Sequence, residues 1–451
     1  MEEKKDGFGS KIGFILAAAG SAIGLGNIWR FPYLAAKYGG GIFLLVYIIL
    51  VVSFGFSLMV TEISLGRRTG KSVIGAYKQA DSRFGFLGPV AAAVPFIITP
   101  YYCVIGGWVL KYFYVFVSGN ADAATDSDYF GGFISQAGQP SIFFIIYAAL
   151  TAAVVILGVQ KGIESVSKIL MPILVILSVG IAIYTMTLNG AVDGFKYYVL
   201  PNFEGFTVAK LLKTIVAAMG QLFYSMSLAM GIMVTYGSYM RKQDSIEGSV
   251  RQISFFDTLI AVIAGLIIVP SVFVFSGGDA SALNAGPGLM FVTLPKVFDS
   301  MSGGRIVGTA FFVLVAFAAL TSSVSLLETM VSIISERFKL QRVASTIVCV
   351  VIVIVMGMLS VLGYSSWSEV SIFGYQILDF FDFISNNIMM PIVALLTCIL
   401  IGYVVKTKYI EDETTLNGEK FRSKGLYDVM TKYVCPAFMI IILLTPFFVD
   451  L

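Results

Sequence analysis

Apolar residues run through this chain in long unbroken blocks, with neither the two-residue alternation of a half-buried strand nor the one-sided stripe of a soluble helix. Eleven blocks are each long enough to cross a hydrocarbon core about 30 Å thick as a helix. They cover residues 12–37, 41–66, 89–117, 141–158, 166–188, 211–239, 254–275, 306–335, 343–362, 371–404 and 429–449. The pattern predicts an all-α integral membrane protein forming a single transmembrane domain over residues 1–451. The longest polar segment, 405–428, is expected to be one inner loop.

Two blocks are interrupted in the middle. Residues 17–32, AAAGSAIGLGNIWRFP, place three glycines, Asn27 and Arg30 at membrane depth. Backbone there can leave the helix only where protein or a water-filled cavity satisfies its amides and carbonyls, so the break predicts a binding site. The sixth block repeats the signal: Gly220 and Gly231 bracket a stretch carrying Gln221, Ser225 and Ser227. Breaks in the first and sixth of ten spans are the signature of two five-helix repeats of inverted topology, 12–188 and 208–404, with 429–449 as an extra eleventh helix. Around Ala22 to Gly26, the freed amides of the outer half-helix favour an anion such as a carboxylate. Unwound carbonyls suit a hard cation. A zwitterionic amino acid bound with sodium meets both demands.

Composition narrows the class. Apolar residues make up 57% of the chain and charged residues 13%, with a mean hydropathy of +0.88, outside the range of soluble domains. Histidine is absent, which excludes a histidine proton relay or a His-based metal site. Cys103, Cys349, Cys398 and Cys435 lie in or beside apolar spans, so no disulfide framework is expected. Neither a nucleophile elbow nor a nucleic-acid motif is present, and the chain is not expected to be an enzyme or to bind nucleic acid. A channel would need a filter repeat that the chain lacks. Placing the N-terminus in the cytoplasm puts Arg67, Arg68, Lys71, Arg241, Lys242, Arg337, Lys339 and the basic residues of 405–428 inside, against Lys196, Lys296 and Arg305 outside. Eleven spans then leave the C-terminus outside an inner (plasma) membrane. Reading the first block as a cleaved signal peptide would discard the most unusual residues in the chain.

GSAIGLGNIWRFPY (20–33), YYCVIGGW (101–108), GQLFYSMS (220–227) and LTSSVSLLE (320–328) resemble motifs of the neurotransmitter:sodium symporter family, in order and at the expected spacing from Gly9 to about Phe438. The resemblance implies the leucine-transporter fold and sodium-coupled uptake of a small solute, or a non-transporting sensor built on the same frame. It implies two sodium sites. The first comprises the Ala22 carbonyl, Asn27, Ser225 and Asp257, completed by the substrate carboxylate. The second uses carbonyls of Gly20, Ile23 and Ala318 with the hydroxyls of Thr321 and Ser322. Hydroxyls inside spans also bond commonly to neighbouring helices, and Asp257 could instead pair a basic residue such as Arg251.

The same resemblance places Ser21, Ala22, Gly24, Leu25, Gly26, Tyr102, Tyr224, Ser225, Ser227, Met230, Ser322 and Leu326 around the substrate. Met230 and Leu326 taken alone also read as ordinary helix packing. Biogenic-amine relatives carry an aspartate where this chain has Gly24, so an amino acid is expected. Met230 stands where some relatives have phenylalanine and can adapt around bulky groups, so a hydrophobic or aromatic one is expected, with another small amino acid or related solute as the alternative. Chloride-dependent relatives have a neutral residue at the position of Asp257, and no chloride requirement is expected here. Arg30 and Asp382 resemble an outer ion pair above an aromatic lid of Tyr102 and Tyr224. Lys5, Tyr239 and Glu336 occupy positions of an inner gate, with lysine in place of the usual arginine. Gly162 and Pro172 match a pattern associated with local unwinding of the fifth span, or a plain helix-start kink. No obligate protein partner is implied; the partners are the amino acid, sodium and the bilayer.

Overall fold

The structure, a computed structural model, describes residues 7–277 and 286–448, with side chains to residue 445. Helix dominates, and among the described residues extended pairing is limited to one bridge between Ile372 and Tyr375. The first block forms two helices, α1 (Lys11–Ala22) and α2 (Gly26–Lys37), bent by 56° at the break. Ser10 caps α1 by accepting a hydrogen bond from the Gly13 amide at 3.0 Å. Ile23 turns extended (ψ 96°) and ends it.

Continuous helices follow as α3 (Gly41–Thr69), α4 (Ser82–Val117), α5 (Gly138–Ile156) and α6 (Val159–Met186). The sixth block divides into α7 (Val208–Ser225) and α8 (Ile232–Tyr239). Beyond it lie α9 (Ile246–Phe275), α10 (Gly304–Phe338), α11 (Arg342–Tyr364) and α12 (Ile377–Val404). A short helix, α13 (Lys408–Thr414), precedes the last long one, α14 (Lys424–Thr445). Nine of the described helices are long and apolar enough to cross a membrane singly, and the α1–α2 pair makes a tenth. Counting α7 with α8 accounts for the remaining predicted block; six residues of irregular backbone separate those halves.

Several helix starts differ from the sequence expectation, among them Ser82 against 89 for α4 and Ile246 against 254 for α9. Helix α6 starts at Val159 rather than 166, because only Leu157 and Gly158 (φ +94°) separate it from α5. The polar segment 405–428 is not a bare loop: α13 lies in it and is fixed to the end of α3. There the buried Arg67 donates from Nε to Glu413 at 2.8 Å, and from its terminal nitrogens to the backbone oxygens of Asp244 and Glu413.

Helices α3, α4, α9 and α10 are the more deeply buried, while α5, α6, α11 and α14 expose more of their surface. The broken α1–α2 pair and α7–α8 lie inside this frame. Gly20 shows how closely α1 packs on it: a Cβ there would stand 3.2 Å from both Thr321 Cβ on α10 and Met171 Sδ on α6.

Candidate functional site

The two breaks meet. Ser227 and Ala229, between α7 and α8, hold positive φ values of +52° and +59°, a conformation non-glycine residues keep only when surroundings enforce it. Two contacts hold it. The Ser227 hydroxyl donates to the Ser21 carbonyl at 2.9 Å, and the Ala229 amide donates to Glu62 Oε1 at 2.7 Å. Glu62 is fully buried on α3, and its other oxygen has no hydrogen-bond partner. Sequence reasoning missed it, although an acid inside an apolar span was a readable signal.

A cavity opens between the breaks, bounded by α1–α2, α4, α7–α8 and α10. Ser21, Ala22, Gly24, Gly26, Tyr102, Tyr224, Ser227, Met230, Ser322 and Leu326 line it, all assigned from sequence, together with Asn27, Ile98 and Ile232. Ile98 precedes Tyr102 by one helical turn, a spacing that could have revealed it. Leu25 and Ser225 stand behind the wall: the Leu25 amide donates to the Tyr102 hydroxyl at 3.3 Å, and Ser225 belongs to the Asp257 cluster described below. The free space is about 20 Å³, room for a water and not for an amino acid, so a substrate must displace its walls. Gly24 and Gly26 are required by close approach. A Cβ on Gly24 would stand 2.7 Å from Ser322 Oγ and 2.9 Å from the Tyr102 oxygen; one on Gly26 would meet the Tyr224 ring at 2.4 Å.

Asp257 of α9 is fully buried. Asn27 Nδ2 donates to its Oδ1 at 2.8 Å, as does the Ser225 hydroxyl at 2.8 Å, and the Tyr47 hydroxyl approaches Oδ2 at 3.4 Å. No basic side chain among the described residues pairs with it. Arg251, the alternative partner, lies two turns away and bonds Glu247 at 2.7 Å instead. A buried carboxylate held only by neutral donors is costly unless a cation accompanies it.

The second predicted ion site shows a different sign of the same demand. Ser322 Oγ lies 3.4, 3.0 and 3.3 Å from the carbonyl oxygens of Gly20, Ser21 and Ile23. One hydroxyl proton cannot serve three acceptors, and converging oxygens of this kind fit a hard cation. The Thr321 hydroxyl lies 3.0 Å from the Ala318 carbonyl. All five predicted ligands thus come from two facing segments, α1 with its break and the middle of α10.

On the outer side, Arg30 stacks over the Tyr224 ring at 5.7 Å, and Tyr224 covers Gly26. No Arg30 nitrogen comes within ion-pair distance of Asp382. Asp382 instead accepts from the Tyr101 hydroxyl at 3.1 Å and Asn386 Nδ2 at 2.6 Å. Tyr101 and Asn386 were not anticipated; Tyr101 faces α12 while its neighbour Tyr102 faces the cavity, as the 100° turn between successive residues requires.

On the inner side, Lys5 lies outside the described residues. Tyr239 donates to Glu328 at 2.8 Å, and Arg342 pairs with Glu328. Glu336 accepts from the Ser72 amide instead. The foot of α1 is pinned by residues the sequence did not single out. Glu164 accepts from the Gly9 amide at 2.6 Å, the Ser10 hydroxyl at 2.7 Å and Lys168 at 2.6 Å. Arg241 donates to the Gly9 carbonyl at 3.0 Å, and Phe8 packs edge-on against Phe14, Tyr236 and Tyr239. Gly162 and Pro172 lie in a wound segment: residues 159–164 form a wide π turn that continues into α-helix through Pro172.

The shared features define an all-helical membrane transporter whose site sits at two broken helices. Known proteins agree with it. Residues 5–125 and 129–449 match the sodium:neurotransmitter symporter family. A Bacillus subtilis (strain 168) protein described as "Uncharacterized sodium-dependent transporter YhdH" is 35% identical over 98% of this chain and 98% of its own. A Haemophilus influenzae protein described as "Uncharacterized sodium-dependent transporter" is 30% identical over 99% of each. The crystal structure of MhsT in complex with L-phenylalanine superposes with a TM-score of 0.87 at 35% identity, covering 98% of this chain and 99% of that one. The chain therefore belongs to the sodium:neurotransmitter symporter family. It is a sodium-dependent transporter with the leucine-transporter fold, a 5+5 inverted repeat plus an eleventh helix, and not an enzyme.

Proposed function

We propose that the chain carries a hydrophobic or aromatic L-amino acid into the cell with sodium, by alternating access and without a chloride requirement. The observation that carries this reading is Asp257: fully buried, held by Asn27 and Ser225, and without a cationic partner among the described residues. A sodium ion there would balance the carboxylate. The amide end of α2 and the bare face of Gly24 leave the substrate carboxylate as the remaining ligand. One sodium touching both partners makes the two bindings mutually dependent. A second sodium, at Gly20, Ile23, Ala318, Thr321 and Ser322, would tie α1 to α10 until the inner end opens. The amino acid's side chain would meet Ile98, Met230, Ile232 and Leu326; MhsT, with its bound L-phenylalanine, is consistent with this preference.

Asp257 supplies a fixed negative charge beside Tyr47 and Ser225, where an anion would otherwise be needed. Uptake should be equal in chloride and gluconate medium, and a strong chloride requirement would refute this part. The basic ends of α3 and α13 to α14 face the cytoplasm in this reading, with the N-terminus inside and the C-terminus outside the plasma membrane. Lys210 and Lys213, at the outer start of α7, narrow the charge asymmetry without reversing it.

The test is uptake of labelled tryptophan and leucine into proteoliposomes, with an inward sodium gradient against potassium. Sodium-dependent accumulation above equilibrium is expected. Sodium-dependent binding without accumulation of any amino acid would support a sensor, and preference for glycine would overturn the substrate class.

A further inference from the structure

A groove separate from the transport site opens toward the membrane between α3, α9 and the start of α14, with a volume of about 560 Å³. Its walls are apolar and exposed: Val52 is 58% exposed, Phe255 61% and Leu426 43%. On α9 its lining residues Arg251, Ser254, Phe255 and Thr258 follow the i, i+3, i+4, i+7 spacing of one helix face. From Arg251 to Thr258 the face rises about 10 Å, most of one leaflet of a hydrocarbon core about 30 Å thick.

The polar mouth of the groove is cationic. Arg251 also lines a second cavity, of about 410 Å³, with Lys420 and Arg422. Two acids share it, Glu247 and Glu419. Glu247 is engaged: its oxygens accept from Arg251, the Ser423 hydroxyl and the Arg422 amide. Arg251 uses one nitrogen for both Glu247 and Ser423, leaving the rest of a five-donor fork. The Lys420 and Arg422 side chains carry no ion pair among the described residues.

A second feature of this face is shared elsewhere only by Ser64, Thr235 and Ser360 among the described buried hydroxyls. Hydroxyls within the spans commonly donate to the carbonyl four residues back, as Ser57, Thr61, Thr99, Ser178, Ser271 and Ser325 do. Ser254, more than nine-tenths buried, and Thr258 do not; both hydroxyls are buried with no hydrogen-bond partner. Unsatisfied hydroxyls inside a membrane protein are costly, and both residues line the groove.

The geometry points to a binding site for an anionic phospholipid, its acyl chain along α9 and α3, its ester region near Ser254 and Thr258, and its phosphate at Arg251, Lys420 and Arg422. The cationic end lies beside the segment 405–428, so the lipid belongs to the cytoplasmic leaflet; that last assignment alone rests on the orientation proposed above. Basic pockets between helices on this side are suited to acidic headgroups.

The test is native mass spectrometry of the full-length purified chain in detergent, with equimolar phosphatidylglycerol and phosphatidylcholine of identical acyl chains. Because it reads bound mass, it is independent of transport and of orientation. Preferential retention of phosphatidylglycerol is expected, weakened about fivefold for each cation removed in Lys420→Gln and Arg422→Gln, and abolished when Val52→Trp fills the groove. Equal retention of both lipids would overturn the proposal, as would a preference that survives the double cation variant or Val52→Trp. sn-Glycerol 3-phosphate alone should not bind; binding as tight as the lipid's would replace the lipid site with one for a soluble anion.

Discussion

Gly24 has no room for a side chain, since Ser322 Oγ and the Tyr102 oxygen would lie within 3 Å of its Cβ. Gly24→Asp would both crowd the site and set a carboxylate beside the proposed substrate carboxylate. At about 5 Å and an effective dielectric of about 20 the repulsion is about 3 kcal/mol, so amino-acid affinity at saturating sodium should fall about a hundredfold, as read by equilibrium binding. Asp257→Asn keeps the shape of the neighbouring cluster but removes its charge. The sodium concentration for half-maximal substrate binding should rise about tenfold or more; an unchanged midpoint would mean that Asp257 does not face the ion. Both residues were legible in the sequence because a membrane interior gives glycine clusters and acids few other reasons to be there. Glu62 satisfies the same rule, yet its role became apparent only when the Ala229 amide was found against it.

At the scale of elements, the breaks and the closed inner end are balanced against each other. Helix α1 is held at its foot by Glu164, which accepts from Gly9, Ser10 and Lys168. Glu164→Ala removes all three contacts, each charge-assisted bond contributing about 1.5–3 kcal/mol. Backbone amides of residues 9–14 should exchange with deuterium at least about tenfold faster. In α6, Pro172 has no amide to offer the Lys168 carbonyl, so the wound segment from Gly162 lacks one helical hydrogen bond. Restoring it with Pro172→Ala should slow transport while leaving outward-facing substrate binding near its original strength; equal loss of both would argue against a gating role. Sequence marked Gly162 and Pro172 through local chemistry. Glu164 escaped notice because its partners lie more than 150 positions away.

For the molecule as a whole, the inner ends of the helices are joined through charge. Arg67 is buried at the end of α3 and reaches Glu413 on α13, while Lys242, between α8 and α9, also bonds Glu413 at 2.9 Å. Arg67→Ala would leave Glu413 with Lys242 as its cationic partner and strip the Asp244 and Glu413 backbone oxygens of a buried charged donor, a loss of about 1.5–3 kcal/mol for each such bond. The apparent unfolding temperature in detergent should fall and the yield of monodisperse protein with it. Arg67→Lys should recover only part of the loss, because an ammonium cannot span three acceptors in the guanidinium geometry. Substrate affinity per folded molecule should stay near its original value.

The sequence by itself determined the solvent, the number and rough extent of the spans, the two interrupted helices and the residue types that gather between them. It could do so because hydrocarbon leaves so few solutions for a backbone: an unbroken apolar run must be helix, and a break must be sheltered. Tertiary structure alone decided which neighbours complete the site. Ile98 and Ile232 join the cavity, Glu328 and not Glu336 receives Tyr239, Tyr101 and not Arg30 bonds Asp382, and Arg67 fastens a segment that reads as plain loop. These contacts depend on the rotation and tilt of helices packed against one another, quantities that side chains distant in sequence set jointly and that no local pattern encodes.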